Sequence, residues 1–310
     1  MSGYKYLFGP VPSRRLGASL GVSPIPERTC NYSCVYCQLG RTLRMTNTRQ
    51  EFFPLEEILA EFREYLQGSI PFDVVTVVGE GEPTLYSRLG ELIAGLKKET
   101  DKPVAVITNG ALLYDAEMRR ELMEADIVLP SLDAVTEEQY RKIDRPMGSI
   151  GFAEMAEGLR QFAREYQGQL WIEIMLVDGM NDSPEDIAAF KEFLGTIDYD
   201  RVYLNTPVRP PAEGFVHTSA PERIDLAARE LGGISIDQLT SGSFFSEVEE
   251  PYEAILSIAR RHPMNQFEVE SFLEAREIPT DQRQALMERL GQDPGITVVP
   301  YKGIITYRVN

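Results

Sequence analysis

Through the first 235 residues, short β-branched runs alternate with longer stretches whose apolar residues recur every three or four positions. Residues 20–25 read as a first strand. In 54–67, Leu55, Ile58, Leu59, Phe62 and Leu66 fall on one helical face. The pattern continues as strand 73–78, helix 87–99, strand 103–108 and helix 115–124, with Asp115 as a cap. Then come strand 127–131, helical pieces 136–143 and 152–166, strand 170–177, helix 184–194 and strand 201–204. Strands alternating with helices build a parallel sheet covered by helices. Six strands are too few to close an eightfold barrel. In an open sheet or a partial barrel alike, functional loops sit at the C-terminal ends of the strands.

The pattern changes between the proline-rich 207–211 and the glycine pair at 232–233. Helical stretches at 246–261, 266–274 and 280–291 are followed by β-type runs 296–300 and 304–309, which meet across Tyr301-Lys302-Gly303. Three helices and a hairpin predict a winged-helix-like module. The expected organisation is a core domain over 1–235 and a winged-helix-like domain over 236–310. Residues 241–310 hold seven Lys+Arg against eleven Asp+Glu, a charge of −4. Such a module is better suited to docking protein or closing a site than to reading DNA.

Charge sharpens this picture. The 310 residues carry a net −17, whereas nucleic-acid affinity rests on lysine and arginine meeting phosphates. Generic nucleic-acid binding is therefore not expected. The densest positive stretch is Arg41, Arg44 and Arg49, with Arg14 and Arg15 before it. Each of these reads equally well as a solvated rim or as substrate contact. No apolar run approaches the roughly 20 residues that span a membrane. Met1-Ser2-Gly3-Tyr4-Lys5-Tyr6 lacks the basic-then-apolar order of a signal peptide. A cytoplasmic protein with no membrane partner is expected.

All three cysteines fall within eight residues, as Cys30, Cys34 and Cys37 in a C-x₃-C-x₂-C pattern. Three thiolates on one loop can hold three irons of a cubane [4Fe–4S] cluster, leaving the fourth iron open to another ligand. A structural zinc usually takes four ligands, and His217 and His262 lie far along the chain. A disulfide with a spare thiol is disfavoured by crowding and by the missing secretory signal.

The motif resembles the signature of the radical S-adenosylmethionine (SAM) superfamily. That resemblance implies a partial (β/α)₆ TIM-like barrel. It also implies a [4Fe–4S] cluster held by Cys30, Cys34 and Cys37, and SAM chelated at the open iron. Further likeness lies at the strand ends. Gly79-Glu80-Gly81-Glu82-Pro83-Thr84-Leu85 follows the second strand. Alone it is a turn whose glycines let backbone approach closely. Here it resembles the superfamily's G-G-E-P motif, which implies that Gly81, Glu82 and Thr84 bind the SAM amino group. Thr108-Asn109-Gly110 reads as a simple turn or, by resemblance, as lining SAM through Asn109. Ser131 and Asp133 point the same way on an extended strand and can bond a ribose diol; Ser131 can instead cap the next helix. Tyr36 stands where related enzymes place an aromatic against adenine, and it can equally pack on its own loop.

Asn205-Thr206-Pro207-Val208-Arg209-Pro210-Pro211 predicts a rigid loop over the barrel mouth. Asn205, Arg209 and Arg145 are substrate-loop candidates. Either arginine can grip a carboxylate or phosphate, or simply pair with an acid on the surface. Asn181-Asp182-Ser183 reads as a helix cap.

Gly9-Pro10-Val11-Pro12-Ser13-Arg14-Arg15-Leu16-Gly17 and Cys37-Gln38-Leu39-Gly40-Arg41-Thr42 resemble a narrower group. These are radical SAM proteins of unassigned substrate, related to the wyosine-forming tRNA enzymes. The likeness covers about 5–215. The wyosine synthases resemble two-cluster enzymes, and this chain has no cysteine to spare for a second cluster or for pyruvate condensation at it. The resemblance implies an oxidoreductase-like enzyme that cleaves SAM and abstracts hydrogen from a peptide, metabolite or nucleobase. A reductant such as flavodoxin or ferredoxin would supply the electron. An iron–sulfur regulatory or binding module without SAM turnover is the alternative.

Overall fold

The structure is a computed structural model that describes residues 4–68, 70–236, 244–246, 248–301 and 303–310. An antiparallel hairpin of β1 (Leu7–Ser13) and β2 (Gly17–Val22) opens the fold. The two-residue strands β3 (Thr29–Cys30) and β4 (Arg44–Met45) pair beside the cysteine loop. The alternating part follows as α1 (Leu55–Tyr65), β5 (Val74–Val77), α2 (Leu89–Glu99), β6 (Val104–Thr108), α3 (Ala116–Leu122) and β7 (Ile127–Pro130). It continues with α4 (Glu137–Ile143), α5 (Phe152–Glu165), β8 (Gln169–Met175), α6 (Pro184–Leu194), β9 (Arg201–Asn205), α7 (Pro221–Leu231) and β10 (Ile234–Ser235). These strands form one sheet in the order β1-β2-β5-β6-β7-β8-β9-β10, parallel from β2 onward. The sheet curls into a partial (β/α)₆ barrel of the TIM-like kind.

Alternation along each strand separates two cores. Val75, Val77, Val106, Val128, Ile172, Ile174 and Leu204 pack against the helices. Their neighbours Val74, Ala105, Ile127, Leu129, Trp171 and Tyr203 fill the inner, concave side. Burial on both faces is why these strands read as continuous apolar runs.

The C-terminal part contains α8 (Pro251–Ala259), β11 (Met264–Asn265), α9 (Gln266–Ala275), α10 (Thr280–Gln292), β12 (Ile296–Tyr301) and β13 (Ile304–Val309). Its antiparallel sheet runs β11-β13-β12, the order of a winged helix. It has its own core around Ile255, Ile258, Met264, Phe272, Leu273, Leu290 and Tyr307.

Four elements differ from the sequence pattern. The sheet starts one strand earlier, at β1, whose prolines and glycine masked it. The strand expected over 20–25 spans Gly17–Val22. Helix α7 went unread although Ile224, Ala227 and Leu231 share a buried face, Pro221 begins it and left-handed Gly232 ends it. Helix α8 begins at Pro251 rather than 246, because the Glu250 side chain accepts from Glu253 N and caps it there. The expected boundary at 235/236 abuts residues 237–243, which lie outside the described residues, as do Met1–Gly3 of the opening segment and Lys302 of the hairpin turn.

Candidate functional site

The cysteine loop runs from β3 and leans on the segment that ends α4. Ser33 N donates to Asp144 O (3.1 Å) and Val35 N to Ile143 O (2.9 Å). The Tyr32 and Tyr140 hydroxyls bond one another, and Thr42 Oγ1 donates to Tyr32 O (2.5 Å). Cys30, Cys34 and Cys37 are free, half-buried thiols, and all three line one cavity of about 440 Å³ at the C-terminal ends of the strands. Burial pushes each thiol's pKa up. At Cys37 the nearby Arg308 and Arg28 oppose that rise.

A buried thiol gives up its proton readily only to a cation that replaces it. The donors therefore fit an iron–sulfur core. Sulfur-directed donors are also in place: Tyr32 N lies 3.3 Å from Cys30 Sγ and Asn109 Nδ2 lies 3.6 Å from it. Among the described residues, no three His, Cys, Asp or Glu side chains converge tightly enough to hold a single metal ion, the grip a structural zinc requires. A cubane spreads its thiolates over separate irons.

The loop after β5 lies directly on this cysteine loop. Arg28 N donates to Glu80 O (2.5 Å) and Glu82 N to Thr29 O (3.0 Å). A side chain on Gly81 would run into the Thr29 carbonyl, so the close approach this glycine permits is to the chain's own backbone. Gly81 lines the cavity; Glu82 and Thr84 stand behind it, buried. Glu82 Oε1 accepts from Thr84 N (3.0 Å), Thr84 Oγ1 (2.6 Å) and Thr108 Oγ1 (2.6 Å). Its Oε2 accepts from Asn109 N (2.8 Å). Burial raises the Glu82 carboxyl's pKa while these bonds pull it down. Glu82 thus ties the end of β5 to the end of β6. Asn109 extends the tie to the cysteine loop through Asn31 Oδ1 (2.7 Å).

At the end of β7, Asp133 accepts from Tyr36 OH and from Met175 N (2.7 Å). Burial pushes its carboxyl up to about 6. Ser131 N bonds Thr108 O (3.0 Å), and the cap of α4 is Thr136 rather than Ser131. Tyr36 lines the cavity, whereas Ser131, Asp133 and Asn109 do not; Asp133 stands behind Tyr36 as its hydrogen-bond acceptor. Ser183 caps α6 as the pattern predicted. Asn181, fully buried, also bonds Asp133 O and Met175 O (both 2.8 Å) and locks these strand ends together.

The substrate-loop candidates divide. Asn205 lines the cavity and donates to Glu173 Oε1 (3.0 Å). Arg145 lies off the cavity: its Nη1 binds Glu213 Oε1 (2.6 Å), and Arg41 grips the same carboxylate at 2.9 and 2.8 Å. The two arginines lower the Glu213 pKa. Arg209 lines the cavity too, but its guanidinium is already engaged by protein groups. It forks onto Glu268 (3.1 and 3.0 Å), reaches Pro263 O (2.7 Å) and bonds the His262 ring. For both arginines, pairing with an acid is what the structure shows.

Arg15, expected at a rim or against substrate, lies on the cavity wall, whereas its partner Glu173 and the residues from the C-terminal module carried no sequence signal. Arg15 ion-pairs with Glu173 inside the cavity, and burial pulls that arginine down to about 10. The C-terminal module adds Phe244, Arg261, His262 and Glu268. Burial and the neighbouring Arg209, Arg14 and Arg15 hold His262 neutral, with a pKa well below the usual. Only folding brings these distant residues together, so no local motif announced them.

The chain belongs to the Radical SAM superfamily, whose family profile matches residues 25–191. It is accordingly a radical SAM enzyme by class. Within that class it is 32% identical to a UPF0026 protein of Methanocaldococcus jannaschii, over 98% of this chain and 95% of that protein. It is 43% identical over 205 residues to a protein named GTPase Obg from Brachyspira hyodysenteriae, covering 66% of this chain but only 30% of that one. The chain has no Gly-Lys dipeptide with which to build a P-loop, so that name is not carried over. A radical SAM methyltransferase from Sphaerobacter thermophilus shares the fold at a TM-score of 0.52 and 18% identity, over 71% of this chain and 68% of that one.

Proposed function

We propose that this protein binds one [4Fe–4S] cluster through Cys30, Cys34 and Cys37 and cleaves SAM there to begin a hydrogen abstraction. The observation that carries the reading is the opening of all three thiols into one cavity, beside Tyr36 and the backbone at Gly81, with no fourth cysteine in the chain. When bound, the cluster and SAM supply one-electron reductive cleavage of SAM to methionine and a 5′-deoxyadenosyl radical that takes hydrogen from a substrate.

The chain's own residues do the rest. The α4 segment holds the cysteine loop through backbone bonds to Ser33 and Val35. Gly81 and Tyr36 contact SAM from the cavity wall, while Glu82, Thr84, Asn109, Ser131 and Asp133 fix that wall from behind. Asn205 and the Arg15–Glu173 pair face the substrate end, where the half-buried His262 helps to exclude water. The substrate is a peptide, metabolite or nucleobase, and a flavodoxin or ferredoxin serves as electron donor.

Anaerobic reconstitution followed by iron and sulfide analysis, EPR and chromatography of 5′-deoxyadenosine tests the reading. About four irons per chain and reductant-dependent 5′-deoxyadenosine are expected. Stoichiometric zinc without iron would end it.

A further inference from the structure

Arg308 sits in an unusual place for an arginine. It lies near the end of β13, in the C-terminal module, yet its Nη1 reaches across to Gln38 O (3.4 Å) in the cysteine loop. A side chain built on Gly40 would meet Arg308 Nη1 at 3.6 Å and Arg28 Nη1 at 3.7 Å, so both guanidiniums flank the turn that follows Cys37. Arg28 has an acid beside it, with Nε 3.2 Å from Glu27 Oε1. Arg308 is half-buried, and no ion pair joins it to a carboxylate of the described residues. A buried charge needs a counter-charge. The neighbours that act on this guanidinium are Cys37, which favours its charge, and Arg28, which with burial opposes it.

We propose that Arg308 is a positioning residue that sets the reduction potential of the cluster from the C-terminal module. The inference rests on the single-cluster reading above. Reduction adds one electron and no proton: the donor, a flavodoxin-type carrier or dithionite, loses that electron and the cluster gains it. The site thereby becomes more negative by one charge, and a fixed positive charge at its edge favours the reduced form. Docking of the module and the ease of reduction are then coupled through one side chain.

The experiment is an anaerobic EPR redox titration of the reconstituted 310-residue protein, without SAM or substrate. Arg308→Gln removes the charge and Arg308→Lys keeps it. Tyr301→Phe serves as a docking control, because Tyr301 OH donates to Pro207 O (2.8 Å) across the same junction without contributing charge. Arg308→Gln is expected to lower the midpoint, cutting the ratio of reduced to oxidised cluster at a fixed potential about tenfold. Arg308→Lys should recover most of the loss and Tyr301→Phe should match wild type. An unchanged midpoint in Arg308→Gln overturns the inference. So does a shift in Tyr301→Phe as large as that in Arg308→Gln, since docking rather than charge would then be responsible. Iron analysis of the wild type separates the two levels: a chain that takes up no cluster refutes the single-cluster reading, whereas a loaded cluster with an unmoved potential refutes only the role of Arg308.

Discussion

Replacing Glu82 by alanine should act first on the fold of the site. The carboxylate accepts four hydrogen bonds, from Thr84 N, Thr84 Oγ1, Thr108 Oγ1 and Asn109 N. Each buried donor left without a partner costs about 1–3 kcal/mol. Removing a buried carboxylate also relieves its own desolvation, which offsets part of that cost. A net loss of about 4 kcal/mol follows, or about 8 °C at about 2 °C per kcal/mol. Glu82→Gln should cost less, about 1–2 kcal/mol. Its oxygen can keep the three donors on Oε1, while its NH₂ faces Asn109 N–H, donor against donor. Thermal and urea unfolding of the anaerobic apoprotein should therefore rank wild type above Glu82→Gln above Glu82→Ala. Because Asn109 loses its anchor and itself reaches Cys30 Sγ and Asn31, cluster retention should fall in the same order. If Glu82→Ala unfolds at the wild-type midpoint and only SAM binding weakens, the buttress assignment is wrong and Glu82 acts directly on the ligand.

Cys34→Ala should abolish the [4Fe–4S] spectrum, and a variant that retains about four irons would remove the thiolate assignment. Asp133 is raised to about 6 by burial, so the folded chain holds a proton there that the unfolded chain releases near pH 4. Its contribution therefore favours folding at low pH and fades as pH rises from about 4 to 6; Asp133→Asn should flatten that part of the urea-midpoint profile, and an identical profile would contradict it. Arg209→Ala and Glu268→Gln should each loosen the C-terminal module, with a double mutant less destabilised than the sum because both break one fork; additive losses measured by urea unfolding would show no coupling. The 310-residue protein should bind neither duplex DNA nor tRNA appreciably at low salt, given a net charge of −17. Micromolar binding that weakens steeply with salt would instead favour a nucleic-acid substrate.

The sequence by itself determined the sheet and the grouping of the three cysteines. Strands β5 to β9 were legible because parallel strands buried on both faces must be apolar throughout, and their helices because one face must be. Cys30, Cys34 and Cys37 were legible because one loop carries all three, so no folding was needed to see them together. The ends of the sheet were not legible: β1 is broken by prolines and glycine, and β10 is two residues long. Tertiary structure alone decided what the charged residues do. Arg209 and Arg145 looked like hands for a substrate, but each finds an acid from a distant segment, Glu268 or Glu213. Glu82 resembles a ligand to SAM, and only the fold shows that its oxygens also accept from the neighbouring strand end. A side chain's type and its local turn are written in order along the chain. Its partner is whichever group the fold brings within 3 Å, and a buried charge will take any partner that lowers the cost of its burial.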